Sequence, residues 1–240
     1  LRREADGLIY VSDVAINRPG AKSGFAGWLM RQQRVAVSHG ELVWDDKLRQ
    51  APPLALGDVG FRLENSGGHH RFGLVATPPE SLASGFDIRG DLKGASLDDL
   101  SDWRGTVFVS LGRTDIAAWA AWVDFPYPLR RGTGGVWAWL DIAKGKPVGV
   151  TADVRLSDVK TRLAKSLPEL NFKQLTGRLA WRQLERGFQF EAKRLALDGA
   201  EQIRLAPANA LVKYQAADAR HLEQGEVRVE GILLEPLVQL

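Results

Sequence analysis

Few side chains in this sequence are of a kind that makes or breaks bonds, and their spacing limits what they can do. Cysteine is absent, which removes thiolate nucleophiles, thiolate metal sites and disulfides together. The adjacent pair His69-His70 cannot hold one metal from an unbroken strand, because neighbouring residues there point to opposite faces. His39 lies in a turn-like Ser38-His39-Gly40 stretch and His221 in a polar connection, so the histidines read as surface residues. Asp98, Asp99 and Asp102 could be paired carboxylates for acid–base work. Their setting, SLDDLSDWRG, fits better the acidic first turn of a short helix. Gly132-Thr133-Gly134-Gly135 lacks the Lys-Ser/Thr of a phosphate loop and precedes a strand, and no serine sits in a Gly-x-Ser-x-Gly elbow. Asp13, Asp58 and Asp158 each stand alone, without the neighbouring oxygen ligands that calcium needs, and read as residues bonding their own backbone. No catalytic residue, cofactor or metal is expected.

The recurring aspartates mark a pattern in the elements around them. In Gly132–Leu163 a strand ends near Ile142, a turn covers Ala143-Lys144-Gly145-Lys146, and a second strand starts at Pro147. Val136, Ala138, Leu140 and Ile142 alternate, as do Val148, Val150, Ala152, Val154 and Leu156, which places each set on one face of a sheet. After Asp158 the apolar phase slips by one residue, to Val159, Thr161 and Leu163. An extra residue is then needed to keep the same face inward, so a β-bulge is predicted at Ser157-Asp158. The same slip occurs at Asp13, at Asp58, at Arg194 and at Gly231, the last followed by Ile232 and Leu234.

Turn and cap residues fill the intervals. Asn17-Arg18-Pro19-Gly20 is a turn, and Ser23 caps a short helix holding Phe25, Trp28 and Leu29. Arg34–Val37 and Glu41–Trp44 read as a hairpin, Asp45-Asp46 as the start of a polar connection, and Glu80–Ala83 as one helical turn. Thr114-Asp115 caps the clearest helix, with Ile116, Trp119, Ala120 and Val123 on one side and Pro126 ending it. Leu167-Pro168-Glu169-Leu170 is a connection, and Ile203–Tyr214 is a late strand. About 13 long strands, joined by short connections, form an antiparallel meander with two or three short helices.

A length of 240 residues, 45% hydrophobic and 25% charged, is ordinary globular composition, and residues 1–240 read as one continuous unit. The net charge of +3 is spread along the chain, with no Lys/Arg run of the kind that marks a nucleic-acid footprint. No apolar run is long enough to span a bilayer, and Leu1-Arg2-Arg3-Glu4-Ala5 is no signal peptide, so the chain reads as an internal fragment.

The segment from Phe125 to Leu197, which opens FPYPLRRGTGGVWAWLDIAKGKPVGVTADVRLSDVKTRL, resembles the AsmA-like proteins of Gram-negative bacteria, in particular the YhdP branch. RVAVSHGELVWDD, APPLALGDVGFRLENSGGHHRFGLVATPP and DIRGDLKG extend the likeness over most of the chain. The resemblance implies a long sheet curled into an open, hydrophobic β-groove. It also implies a periplasmic portion of an inner-membrane-anchored protein that supports phospholipid transport to the outer membrane. The anchor and the membrane contacts would belong to parts outside this chain, and phospholipid acyl chains would be the partner.

On that reading the lipid-binding lining is Val136, Ala138, Leu140, Ile142, Val148, Val150, Ala152, Val154 and Leu156, with Trp119 and Trp122 on a covering helix. The opposite parity would instead bring Trp137 and Trp139 inside, since both faces of that strand are apolar. The rivals are a structural module of the envelope with a closed β core and no lipid, and a carbohydrate-active β enzyme.

Overall fold

Strands of 13 to 16 residues, such as Leu54–Ser66 and Lys146–Thr161, are far longer than the usual five or six. In several of them one residue in left-handed backbone lets the strand bend without turning its apolar side outward. The computed structural model of the chain describes residues 1–15, 24–97, 99–123, 129–162, 169–199, 204–217 and 222–231. It contains β1 (Arg2–Arg3), β2 (Ile9–Val11), β3 (Val14–Ala15), helix α1 (Gly24–Arg31), β4 (Arg34–Asp46), β5 (Leu54–Ser66), β6 (His69–Thr77), β7 (Ala83–Lys93) and β8 (Arg104–Asp115). A 3-10 helix, Ile116–Ala121, comes next. The remaining strands are β9 (Leu129–Ala143), β10 (Lys146–Thr161), β11 (Leu170–Leu184), β12 (Gly187–Gly199), β13 (Arg204–Gln215) and β14 (Gln224–Glu230).

All 14 strands belong to one sheet, ordered β14 down to β4 and then β1, β2, β3. From β4 to β14 each strand pairs antiparallel with the next in sequence, which makes the predicted meander. The one parallel pair among the described residues is β1 with β4. The sheet does not close on itself, because β14 and β3 are its two edges. Accessible surface is 15925 Å² for a mass of 26.4 kDa, against roughly 10,600 Å² for a compact chain of that mass. The rival closed β core is therefore not what forms.

The bulges predicted at Asp58, Asp158 and Arg194 are present, with φ of 47°, 51° and 50°. Aspartate tolerates this region because its short side chain can bond locally. In β5, Leu54, Leu56, Val59 and Leu63 are all buried although the alternation breaks between the second and third. In β10, Val154 and Leu156 before the bulge and Val159 after it are buried together in the same way. Two further bulges, at His39 (φ 53°) in β4 and Arg113 (φ 33°) in β8, fall where no phase slip is predicted. At Arg194 the freed N–H donates to Asn209 Oδ1 at 3.0 Å.

Several local expectations are corrected. Ser38-His39-Gly40 is a bulge inside one continuous strand, β4, and not a hairpin turn. Asp13 lies in the tight β2–β3 turn, where Val11 opposes Val14 and Ser12 carries the positive φ. Asp46 ends β4 and is buried; it does not open a polar connection. Glu80–Leu82 is a turn, and Ala83 already belongs to β7. Around Asp99 and Asp102 there is a turn in place of a helix: Asp99 accepts from Ser101 N–H at 2.8 Å and Asp102 from Ala95 N–H at 2.9 Å. The helix after Asp115 is 3-10 and ends at Ala121, with Asp115 accepting from Ala117 N–H. Gly231, φ 83°, comes after the end of β14. Expectations at Asn17–Gly20, Ser23, Asp98, Pro126, Leu163, Leu167-Pro168, Ile203, His221, Ile232 and Leu234 lie outside the described residues.

Toward the β3 end of the sheet, β1 is tied to β4 by an ion pair whose carboxylate is buried. Arg3 donates both Nε and a terminal nitrogen to the carboxylate of Asp46, and Arg49 N–H adds a bond at 3.1 Å. Burial opposes the charge of Asp46. The bonds from Arg3 and Arg49 and the Arg3 charge outweigh it, holding this carboxyl below its ordinary value. A lowered folded-state pKa adds stability that is complete above the unfolded value and is lost as pH falls through the folded one. The stability difference between the parent and Asp46→Asn, measured by urea unfolding, is therefore expected to be widest above about pH 4 and to shrink on further acidification.

The bulge makes a second prediction. Inserting one alanine after Asp158 shifts the phase again and turns Val159 outward, which should cost about 1.5–3 kcal/mol from the exposed valine alone. Asp158→Gly should be neutral, or stabilising by up to about 1 kcal/mol, because it relieves left-handed strain. Urea midpoints of the two variants, moving in opposite directions or apart by that margin, check the assignment.

Candidate functional site

Antiparallel register turns the alternation of single strands into rows that cross the sheet. Opposed pairs from β4 to β8 run Val37, Phe61, Leu74, Ile88, Val109. The row continues through Ala138, Ala152, Leu179, Ala192 and Ala210 to Val229 in β14. Beside it runs a second row, Val35, Leu63, Phe72, Gly90, Val107 and then Leu140, Val150, Trp181, Phe190, Val212 and Val227. Every one of these 22 positions is apolar or glycine. At Gly90 the missing side chain is replaced by a neighbour, since a Cβ there would collide with the Phe72 ring. That ring thus fills the gap in its own row.

Most of these side chains are only half-buried, and those near the β14 edge are exposed, Val227 at 70% and Val229 at 49%. No second layer of described elements covers the rows along their length. Two local structures border them. On one side the 3-10 helix joins two buried clusters: Trp119 and Trp122 pack against Leu54, Leu56 and Ala76, while Ile116 packs against Val154, Leu156 and Val159. Trp119 Nε1 donates to Thr114 Oγ1 at 2.8 Å and Trp122 Nε1 to Pro52 O at 3.2 Å, so the indoles are satisfied as they bury. On the other side His70, which is buried and not a surface residue, stacks on Trp103 with ring centroids 5.0 Å apart. Its Nδ1 faces Asn65 Oδ1 at 2.7 Å and its Nε2 faces Gly94 O at 3.0 Å. Asn65 Nδ2 in turn donates to Leu29 O and Gln32 O at the end of α1, fixing that helix to the rim.

The opposite face is polar. Arg62 pairs with Glu64, Arg89 with Asp87 and Arg178 with Asp153. The bond from His69, with Arg71 beside it, keeps the Asp91 carboxyl below its usual range, and Arg178 does the same for Asp153. Trp137 and Trp139 lie on this face under the guanidinium groups of Arg155 and Arg178, each 5.9 Å from the ring centroid. Among the described residues no group of three or more His, Asp or Glu is placed to hold a metal ion.

The strand residues expected from sequence to line the groove fall into three groups. Val136, Ala138, Leu140, Ile142, Val150 and Ala152 are half-buried and share the apolar face, opposed across β9 and β10. Val148 falls at a register shift between Pro147 and Gly149. Val154 and Leu156 are buried beneath the 3-10 helix, in packed core rather than open surface. Sequence reasoning does not assign to this face the flanking contributors, from Phe61, Ile88 and Val109 on one side to Leu179, Trp181 and Phe190 on the other. Their signal is the same alternation, but its parity is fixed only by the pairing.

An open meander with one continuous apolar face and one charged face has the architecture of a β-groove protein. The family model described as YhdP protein matches residues 4–240, and the chain belongs to this family of AsmA-like proteins. No curated protein and no solved structure matches the chain. Membership connects the chain in broad terms with the cell envelope and with phospholipid transport. No helix among the described residues is long and apolar enough to cross a membrane.

The packing of Phe72 on Gly90 offers a direct check of the second row. Gly90→Ala must push the ring off its seat, and overpacking of this kind costs about 1–3 kcal/mol. A lowered urea midpoint is expected, recovered in part by Phe72→Leu in the same chain.

Proposed function

We propose that the apolar face holds the acyl chains of phospholipids and lets them move from strand to strand, within a periplasm-spanning protein that carries phospholipid between the inner and outer membranes. One observation supports this above the rest: two adjacent apolar rows continue through eleven consecutive strands, β4 to β14, with no described layer over them. Ten strand spacings at about 4.8 Å give a path of roughly 48 Å. An acyl chain on that path is held by burial at about 0.8 kcal/mol per methylene, without directional contacts. Binding of this kind is strong in sum and nearly flat along the path, because each step exchanges one aliphatic neighbour for another. The reaction is displacement, with no bond formed or broken, and it needs neither cofactor nor metal. Attachment to the inner membrane belongs, on this reading, to parts of the protein outside this chain.

Leu140 and Val150 oppose each other in the middle of the second row, which makes them the informative substitutions. Native mass spectrometry of the purified chain is expected to show co-purifying phospholipid. Leu140→Glu or Val150→Glu should remove it, and abolish transfer between vesicles, while the far-ultraviolet circular dichroism stays that of the parent. A bare parent chain, or lipid retained by both variants, would overturn the reading.

A further inference from the structure

On the face opposite the apolar rows, β9 to β12 surround a cavity of about 530 Å³ lined by Trp137, Asp153, Arg155, Thr176, Arg178 and Arg194. Its size falls within the range of small-ligand pockets. Three guanidinium groups meet a single carboxylate there. Arg178 occupies that carboxylate, donating Nε and a terminal nitrogen to the two oxygens of Asp153 at 2.6 Å each. The excess positive charge therefore resides on Arg155 and Arg194.

Arg155 is placed by a ring contact and Arg194 by its backbone. Arg155 lies over the Trp137 ring at 5.9 Å. The outer edge of that ring lies over Gly135, where a Cβ would come within 2.7 Å of it. Arg194 is the bulge residue of β12, its left-handed backbone fixed by the bond from its N–H to Asn209 Oδ1. Thr176 opposes Arg155 across β10 and β11 and brings a hydroxyl to the same face. Two guanidinium forks with no carboxylate partner among the described residues, one hydroxyl and an aromatic wall form a receptor for a tetrahedral oxyanion, which guanidinium binds bidentately.

We propose that this cavity binds a phosphate group, either free or carried on a phospholipid headgroup, with Arg155 and Arg194 as its charged donors. The site stands apart from the acyl-chain reading, because its residues lie on the other side of the sheet.

Isothermal titration of the whole chain tests it, with inorganic phosphate in one arm and glycerophosphoglycerol, a headgroup without acyl chains, in the other. Saturable binding in at least one arm is expected. It should weaken tenfold or more in Arg155→Gln/Arg194→Gln and persist in Arg228→Ala, whose arginine pairs with Glu226 on the adjoining surface. Tighter binding of inorganic phosphate assigns free phosphate, and tighter binding of glycerophosphoglycerol assigns the headgroup. Should the double variant fail to fold, Arg155→Gln alone, on regular strand, gives the same reading. No saturable binding in either arm, or binding that survives loss of both arginines, overturns the proposal.

Discussion

Everything in this fold depends on the period of two in a β-strand and on how the chain resets it. A strand of a dozen or more residues can hold an apolar set on one side only while it stays in phase. Bending such a strand around a trough demands a local break, and a break of one residue would send half of the set to the wrong side. The bulge resolves both demands with a single residue in left-handed backbone. Asp58, Asp158 and Arg194 perform this in β5, β10 and β12, and His39 and Arg113 in β4 and β8. The strain of several such residues is tolerated because they keep side chains such as Val59 and Val159 on the apolar face, buried in its two clusters.

The second level is register. Each hairpin fixes its own pairing, and successive pairings from β4 to β14 carry one parity across the sheet. The two faces then differ in the physics of what they hold together. On the apolar side the contacts are non-directional, and a half-exposed valine or leucine interacts in the same way with a protein methyl or a lipid methylene. On the charged side the contacts are directional, and bidentate pairs such as Arg178 with Asp153 join neighbouring strands at set distances. Individually these exposed pairs contribute little. Their placement ensures that only one face is greasy, and it discourages a second sheet from stacking on the outside.

Sequence carries the elements well and the faces less well. Alternation and phase slip locate the central hairpin, three bulges and the meander, because these are local signals that side-chain periodicity must show. The bulge at His39 reads as a hairpin turn, since Ser-His-Gly between two apolar runs satisfies both descriptions and only the partner strand decides. Asp46 and His70 read as solvent-facing because polarity is the local cue. What buries them is distant: Arg3 for the first, Asn65 and Trp103 for the second. The parity of β9 is undecidable from sequence for a related reason. Trp137 and Trp139 are as apolar as Val136 and Leu140, and only the guanidinium groups lying over them, from other strands, make their face the polar one.

A groove of this sort must also stay open. An uncovered apolar surface in water ordinarily recruits a partner or collapses. Collapse here would need the two flanks of the sheet to meet, and both rims carry structures that resist it. The 3-10 helix wedges Ile116 into one cluster and Trp119 and Trp122 into another. At the opposite rim α1 is tied through Asn65 to the stacked His70 and Trp103. The strands between the rims are therefore held by bonded margins rather than by a filled centre. On the proposed reading, an apolar face that no described element fills is where a flexible aliphatic chain, and not another side chain, becomes the best available neighbour.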